Sequence, residues 1–214
     1  KSNNLFSPKD KLLIAVSGGL DSVVLCELCK QAGYDFIIAH CNFKLRGEES
    51  ERDEQFVRES GKKYGVEVLV QQFDTDKYAA EHKLSTQEAA RDLRYNWFAK
   101  LIGSQESGVK TRNLLLTAHH ADDNNETVLM NFFRGTGLHG LTGIPATINY
   151  IRRPLLHFSK EELLEFAKDN KLDFVEDSSN QSSKYTRNFF RNEIIPAISK
   201  VYPRVKENLQ DNIK

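Results

Sequence analysis

The chain has 214 residues, of which 30 are basic and 30 acidic, so its formal net charge is zero, and 39% of its residues are hydrophobic. This composition excludes a disordered chain. No apolar run approaches the roughly 18 residues that a membrane span needs, and the first residues do not show the pattern of a secretory signal. Because the net charge is zero, any binding of nucleic acid must come from local basic patches. The chain has three cysteines, which are too few for a disulfide framework and predict a reducing, cytoplasmic location.

Short apolar runs alternate with helical patterns along the first 150 residues. Buried strands are predicted over residues 11–17, 35–40, 66–73 and 114–119, helices over 23–32, 51–64, from the Ser85-to-Glu88 capping box onward and over 123–133, and polar loops over 43–50 and 176–188. The third helix carries a predicted core stripe of Ala90, Leu93, Trp97 and Leu101. This alternation predicts a doubly wound α/β fold, with a mainly parallel sheet flanked by helices.

Beyond residue 150 the pattern becomes irregular. We therefore expect a nucleotide-binding domain over residues 1–150 and a mixed, mainly helical C-terminal extension over residues 151–214. Within the extension, residues 151–156 are predicted to form an edge strand, because they include a proline that cannot donate to a ladder. A capping box predicts a helix from Ser159 to about residue 169, and the tail is predicted to be helical around Pro196.

The strongest functional pattern is Ser17-Gly-Gly-Leu-Asp-Ser22, between the first predicted strand and the first predicted helix. Two glycines allow a tight turn, and backbone N–H groups, serine hydroxyls and the positive helix end together form a phosphate cradle. The segment lacks the lysine of a Walker loop but carries Asp21, which predicts a polyphosphate bound with Mg²⁺. The alternative is an ordinary glycine turn with a polar helix cap.

A second pattern, residues 117–127, stands where another predicted strand runs into a helix. The carboxyl ends of strands line the ligand crevice of an α/β sheet. Asp123 and Glu126 share one helix face and suit a cation such as Mg²⁺ or an ammonium group, and His119 suits phosphate binding or proton transfer. The alternative is an acidic first turn favoured by the helix dipole, beside a buried histidine.

Weaker patterns have structural explanations as well. Arg91 and Arg94 suit a phosphate clamp, although a solvent-facing helix edge is the commoner explanation. Residues 181–214 carry a net charge of +4 and aromatic side chains, which suits RNA, although a helical terminus explains them almost as well. Cys26 and Cys29 fall inside the first predicted helix and are predicted to pack in the core. The Gly-x-Gly-x-x-Gly match over residues 135–140 follows a helix rather than a strand, which predicts a turn.

The loop over residues 17–22 resembles that of the N-type ATP pyrophosphatases, which split ATP into AMP and pyrophosphate while they adenylate an acceptor. The segments that together are similar to the tRNA(Ile)-lysidine synthetase family are residues 39–50, 118–127, 134–141, 153–156, 177–180 and 186–191. Asn124 and Ser178 depart from the family pattern, in which glutamine and proline are commoner. The match runs from about Lys11 to Pro196 without the family's C-terminal RNA-docking domains, and we expect a piece of a longer protein.

The resemblance implies a ligase that converts the wobble cytidine of a CAU-anticodon isoleucine tRNA into lysidine. The cytosine C2 oxygen attacks the α-phosphorus of ATP and pyrophosphate leaves, then the ε-amine of lysine attacks C2 and AMP leaves. ATP, free lysine, Mg²⁺ and tRNA(Ile) are therefore the implied substrates and cofactor, with no membrane involved. A homodimer is left open.

The resemblance also implies a division of the site by ligand. ATP is expected at Ala15, Ser17, Gly18, Gly19, Asp21, Ser22, Ala39, His40, Arg94 and His119, Mg²⁺ at Asp21 and Asp122, lysine at Asp123 and Glu126, and tRNA at Arg46, Arg91, Arg187, Asn188 and Arg191. The expected catalytic residues are Asp21, Arg94, His119, Asp123 and Glu126. Arg94 and His119 would stabilise charge at the α-phosphate, and one acid would accept a proton from the lysine ammonium.

Two other functions remain open on the sequence. A tRNA thiolase of the same superfamily would adenylate a similar carbonyl but needs cysteines at its active centre, where Cys26 and Cys29 are not expected. A non-catalytic nucleotide-binding module would bind ATP without exchanging pyrophosphate. Two extra carboxylates facing the phosphate cradle favour an enzyme.

Overall fold

The computed structural model describes residues 5–103, 113–176 and 186–213. The strands in these ranges are β1 (Lys11–Ala15), β2 (Phe36–Asn42), β3 (Val68–Gln72), β4 (Asn113–Leu116), β5 (Thr147–Ile148) and β6 (Ile151–Arg152). They form one sheet in the order β3-β2-β1-β4-β6-β5, in which only the β5–β6 pair is antiparallel. The chain winds outward from β1 to β3 and then returns to β4 beside β1, which confirms the doubly wound prediction.

Helices cover both faces of this sheet. Within the described ranges they are α1 (Leu20–Gln31), α2 (Glu48–Tyr64), α3 (Thr75–His82), α4 (Thr86–Ile102), α5 (Ala121–Arg134), α6 (Gly137–Gly140), α7 (Lys160–Asp169), α8 (Thr186–Phe189), α9 (Ile195–Val201) and α10 (Val205–Ile213). A π-helical turn, Phe190–Ile194, joins α8 to α9. None of the helices described is long and apolar enough to cross a membrane.

Among the described residues, two hydrophobic cores lie on opposite faces of the sheet, and β1 contributes to both. Leu12 and Ile14 pack in the core that includes α1, α2 and α7. Leu13, which points the other way, packs with Phe98 and Ile102 of α4. All three β1 residues are buried, and cover on both faces explains why the sequence of this strand is an unbroken apolar run.

Most predicted elements are confirmed, with shifted ends. Both capping boxes are present, because Ser85 and Ser159 each accept a hydrogen bond from the N–H group three residues on. α2 begins at Glu48, inside a predicted loop, after Gly47 turns the chain at φ 52°. The sequence pattern does not predict α3, since its eight residues are too few to show a clear stripe.

Packing corrects two further expectations. In α4, Ala90 is buried as predicted, but Leu93, Trp97 and Leu101 are only half-buried, and Ala89, Phe98 and Ile102 complete the buried face. The segment 151–156 does not form the edge of the sheet, because β6 lies between β4 and β5. Its proline, Pro154, comes after β6 has ended, so the missing N–H does not interrupt the ladder.

The region after residue 150 continues the same architecture. β6 pairs with β4, and Leu163 and Ala167 of α7 belong to the core that contains α1. The domain boundary at residue 150 stays a prediction. The tail is helical around Pro196, as predicted, because this proline lies in the first turn of α9. Most of the polar loop predicted over residues 176–188 lies outside the described residues.

Candidate active site

The Ser17–Ser22 loop turns the chain from the carboxyl end of β1 into α1. Gly18 has φ +92°, and a Cβ atom there would lie 2.8 Å from a methyl group of Val175, so this position requires glycine. The Val175 N–H donates to the Gly18 carbonyl at 3.0 Å, and the Ser22 hydroxyl donates to the Gly19 carbonyl at 2.9 Å. The loop is therefore held in place at the amino end of α1, where helical N–H groups favour an anion.

A cavity of about 440 Å³, here called the main cavity, opens beside the carboxyl ends of β1, β2 and β4. The predicted site residues that line it are Ala15, Ser17, Asp21, Ser22, Ala39, Arg91, Arg94, His119, Asp123 and Arg187. Cys41, Phe43, Tyr95 and Thr117 line it too. The sequence analysis assigns none of these four a role, although Thr117 is the first residue of the second pattern. The cavity lies where strand order reverses between β1 and β4, the usual ligand position in such sheets.

Two arginines of α4 stand over aromatic rings at the wall of the main cavity. The guanidinium carbon of Arg94 lies 5.2 Å from the ring centre of Phe43, and that of Arg91 lies 4.9 Å from the ring centre of Tyr95. Such cation–π contacts orient a guanidinium group. Arg91 and Arg94 therefore line a cavity, rather than only a solvent-facing helix edge, and a triphosphate in this cavity would meet both charges.

His40 is the predicted ATP residue of β2 whose side chain lies elsewhere. Side chains alternate along a strand, so Ala39 and Cys41 reach the main cavity while the His40 ring is buried on the other face. Burial lowers the pKa of His40, which leaves a neutral ring whose Nδ1 donates to the Val16 carbonyl at 2.8 Å. The expected contact with adenine is one from the backbone around Ala15, Ala39 and His40, which the position of this ring does not oppose, and it stays a prediction.

His119 follows β4 and lines the main cavity. Its Nδ1 lies 3.0 Å from the Thr117 hydroxyl. Burial lowers the pKa of His119 to about 4, and the guanidinium groups of Arg153 and Arg187 act in the same direction against the opposing charge of Asp123. The ring is therefore uncharged at neutral pH and offers a phosphate one hydrogen bond rather than a full positive charge.

A second cavity, of about 490 Å³, adjoins the main cavity. Ser17, Asp21 and Asp123 line both, so the two cavities form one cleft around these residues. The Asp21 side chain is 29% exposed and that of Asp123 is 16% exposed, so both carboxylates are accessible from the cleft. The structure thus brings together the two acids that were assigned to different ligands, one to metal-bound polyphosphate and one to an amine.

Two further residues of the second cavity, His120 and Lys160, are absent from the predicted site. The buried His120 ring places its Nε2 3.7 Å from Asp21 Oδ2 and 3.6 Å from Asp123 Oδ2. Lys160 Nζ lies 2.6 Å from Asp21 Oδ1. The position of His120 inside the second pattern was an available signal. Lys160 offered none, because it lies 139 residues from Asp21 and within a capping box.

Asp123 and Glu126 lie on one face of α5, as predicted, but only Asp123 lines the cleft. The Glu126 carboxylate is 1% exposed, and it accepts hydrogen bonds from Arg191 Nε at 2.6 Å and from Arg187 Nη1 at 3.3 Å. Burial raises the pKa of the Glu126 carboxyl, and the hydrogen bond from Arg191 opposes that rise. The expected direct contact between Glu126 and lysine is therefore corrected, since this carboxylate is occupied by two arginines.

The residues predicted to bind tRNA lie at or near the cleft, and three of them are paired with acids of the chain. Arg187 and Arg191 bind Glu126, and Arg46 Nη2 donates to a carboxylate oxygen of Asp53 at 2.8 Å while it lines the second cavity. Asn188 is half-buried beside Arg187 on α8. Their contacts with RNA stay predictions.

Asp122 is turned away from the cleft. Its Oδ2 accepts from the Lys160 N–H at 2.8 Å and its Oδ1 pairs with Lys206 Nζ at 2.9 Å, so the expected Mg²⁺ ligand is corrected to a structural acid. No group of three or more His, Cys, Asp or Glu residues within the described ranges forms a metal site. Asp21 alone, together with phosphate oxygens, fits Mg²⁺, which commonly uses one or two carboxylates plus substrate phosphates.

Comparison with known proteins agrees with this geometry. Residues 1–198 match the family model of the PP-loop domain. The chain belongs to the PP-loop family. It is 46% identical over 209 residues to a tRNA(Ile)-lysidine synthase of Bacteroides thetaiotaomicron, covering 98% of this chain and 48% of the relative, and 42% identical over 208 residues to one of Parabacteroides distasonis, covering 96% and 46%.

The chain spans about half the length of these curated relatives. Among solved structures, it is similar to a U34-tRNA thiolase from Methanococcus maripaludis with a TM-score of 0.75, covering 99% of this chain and 74% of that one. At 17% identity, this likeness shows that the two proteins share a fold and shows nothing about shared chemistry.

The cysteines of this PP-loop chain separate into core and cleft. Cys26 and Cys29 lie on the buried face of α1 in the core, as predicted, and burial raises the pKa of both thiols, that of Cys29 to about 12. Cys41 lines the main cavity, and burial raises its thiol pKa to about 12 as well. All three thiols are therefore protonated at neutral pH and are weak nucleophiles.

Proposed function

We propose that this chain is the catalytic part of a tRNA(Ile)-lysidine synthase, which attaches lysine to the wobble cytidine of a CAU-anticodon isoleucine tRNA in the cytoplasm. The observation that carries the proposal is the single cleft on which both Asp21 and Asp123 open. PP-loop membership supports ATP as a substrate, and the lysidine synthase relatives support tRNA(Ile).

In the first step, the cytosine C2 oxygen attacks the α-phosphorus of ATP, and pyrophosphate leaves. The Ser17–Ser22 loop holds the β- and γ-phosphates, with adenine against Ala39 in the main cavity. Arg94 and the neutral His119 donate hydrogen bonds to the α-phosphate and stabilise its developing charge. Mg²⁺, held by Asp21, would neutralise charge on the pyrophosphate as it leaves.

In the second step, the ε-amine of lysine attacks C2, and AMP leaves with the former carbonyl oxygen. An ammonium has no free electron pair, so lysine must lose a proton before it attacks. Asp123 faces the cleft, where it binds the ammonium and accepts this proton. Arg191 Nη2 donates to Asp123 at 3.1 Å, so the Glu126–Arg191 pair positions Asp123 for this exchange.

The tRNA lies across the cleft mouth in this proposal. Arg46 and Arg91 line different cavities of the cleft, so a bound anticodon loop would meet a cation on either side. Arg187, Asn188 and Arg191 add a wall from the C-terminal helices. Because two of these residues also bind the acids of α5, tRNA contact there would act on the lysine site directly.

The test follows the two steps separately. ATP–[³²P]pyrophosphate exchange is measured with no tRNA, with a CAU-anticodon isoleucine tRNA and with the same tRNA carrying uridine at the wobble position, and labelled lysine is then added. We expect exchange only with the CAU tRNA, followed by transfer of lysine to it. ATP binding without exchange would indicate a nucleotide-binding module, and tRNA-dependent exchange without lysine transfer would indicate another tRNA-modifying reaction. Either result would overturn the proposal.

A further inference from the structure

Lys160 lies in the cleft, but the proposed function gives it no role. It is the first residue of α7, its side chain is 45% exposed, and its Nζ lies 2.6 Å from Asp21 Oδ1. A lysine in the first turn is unfavourable for a helix, because the amino end already carries partial positive charge. Lys160 therefore does not stabilise α7 through the helix dipole, and its charge instead contributes to the cleft, where it pairs with Asp21.

The backbone of Lys160 is fixed while its side chain has room to move. Its N–H donates to Asp122 Oδ2 at 2.8 Å, and Ser159 caps the same turn. The ammonium stands at the end of four methylene groups and lines the second cavity together with Ser17 and Gly19 of the phosphate loop. A change of rotamer moves the charge within the cavity and leaves α7 in place.

Among the residues that the structure describes, three lysine or arginine side chains line the second cavity, and each is held by a different carboxylate. Arg46 pairs with Asp53, and Arg191 pairs most closely with Glu126; both of these carboxylates are buried. Among the ion pairs of the described residues, Lys160 is held by Asp21, the carboxylate that fits Mg²⁺. A divalent cation on Asp21 would repel the ammonium and release it toward any phosphate bound on the loop.

We propose that Lys160 is a further catalytic residue, a ligand of the leaving pyrophosphate that rests on Asp21 until metal-bound ATP enters. This assignment rests on the proposed function and deepens it. Before ATP binds, the Lys160–Asp21 pair keeps the charges balanced. With metal-bound ATP in the cleft, Asp21 would hold the metal, and the ammonium would bind oxygens of the β- and γ-phosphates beside Ser17. As the bond to the α-phosphorus breaks, the Lys160 ammonium would balance the negative charge that develops on the leaving pyrophosphate.

The test measures the binding of pyrophosphate, so it needs neither tRNA nor lysine. Lys160→Met removes the charge at similar length, Lys160→Arg keeps a cation, and Lys168→Met, exposed in the last turn of α7, is the matched control. Pyrophosphate is titrated by calorimetry with and without Mg²⁺. Lys160→Met should weaken binding about tenfold, while Lys160→Arg stays within about threefold of the parent and Lys168→Met is unchanged.

The same titration with Asp21→Asn separates a phosphate ligand from a mere counter-charge for Asp21. Asp21→Asn alone should tighten metal-free binding of pyrophosphate, because Lys160 is then released. Adding Lys160→Met should remove that gain and weaken binding about tenfold. Binding that is unaffected by Lys160→Met in the Asp21→Asn chain would overturn the assignment.

Pyrophosphate binding and lysine transfer test the role of Lys160 and the proposed function separately. Circular dichroism melting verifies that each variant is folded, and Lys160→Gln replaces Lys160→Met if the latter unfolds. Normal pyrophosphate binding that depends on Lys160, without any lysine transfer, would overturn the proposed function and leave this assignment standing. Lysine transfer with pyrophosphate binding that ignores Lys160 would do the reverse.

Discussion

Replacing His119 by asparagine should make the protein's stability less sensitive to acid. Burial lowers the pKa of His119 from 6.5 to about 4, so between these values the unfolded chain binds a proton that the folded chain rejects. Each pKa unit corresponds to about 1.4 kcal/mol. The contribution of the neutral ring is therefore fully present above pH 6.5 and falls by roughly 3 kcal/mol below pH 4, with about 2 kcal/mol of the loss reached by pH 5.

Urea unfolding at pH 7.5 and pH 5.0 measures this difference in the parent chain, in His119→Asn and in His157→Asn, which removes an exposed imidazole as a control. Between the two pH values the parent and His157→Asn should lose about 2 kcal/mol more stability than His119→Asn. Equal losses in the parent and His119→Asn would refute the neutral state of the His119 ring. His119 would then be a candidate for a cation at the α-phosphate, contrary to the mechanism above.

Three further changes probe the loop, the acid pair and the core. Gly18→Ala should cost about 1–3 kcal/mol of stability and abolish ATP binding in calorimetry, because an alanine would be strained at φ +92° and its Cβ would clash with Val175. Normal ATP binding by this variant would contradict a loop that is fixed in one conformation. Glu126→Gln should destabilise by roughly 2 kcal/mol, less than for a fully buried pair because Arg191 is 35% exposed. It should also raise the KM for lysine far more than that for ATP, because the Glu126–Arg191 pair positions Asp123; the opposite pattern would contradict this positioning role. The double change Cys26→Ala with Cys29→Ala should keep lysine transfer, and its loss in a folded variant would place these thiols in the chemistry.

The parts of the fold that follow from local pattern were predictable from the sequence. The run that includes Leu12 and Ile14 needs cover on both faces, and this requirement alone indicates a buried parallel strand. The edge strand predicted from Pro154 was wrong, because β6 ends before this proline and pairs with β4, whose residues lie far away in the chain. α3 was unpredictable by periodicity because its eight residues are too few to show a clear stripe.

The candidate site shows the same division. The meeting of Asp21 and Asp123 follows from topology, because the carboxyl ends of parallel strands lie at one edge of a sheet. The partners of these residues do not follow from it. Arg191 lies 65 residues from Glu126, and no local pattern indicates that an arginine of the tail would occupy an acid that seemed free for a ligand. Tertiary packing alone decides which carboxylates stay open to the cleft.

Comparing the Asp21→Asn and Asp123→Asn variants in the two half-reactions tests most directly whether one cleft joins ATP and an amine. Asparagine keeps an oxygen that can accept from the His120 N–H, so the start of α5 is preserved in the second variant. Asp21→Asn should lose tRNA-dependent pyrophosphate exchange and lysine transfer together. Asp123→Asn should keep exchange while lysine transfer falls about 100-fold or more. Equal loss of both half-reactions in Asp123→Asn, or undiminished exchange in Asp21→Asn, would contradict this division of roles between the two acids.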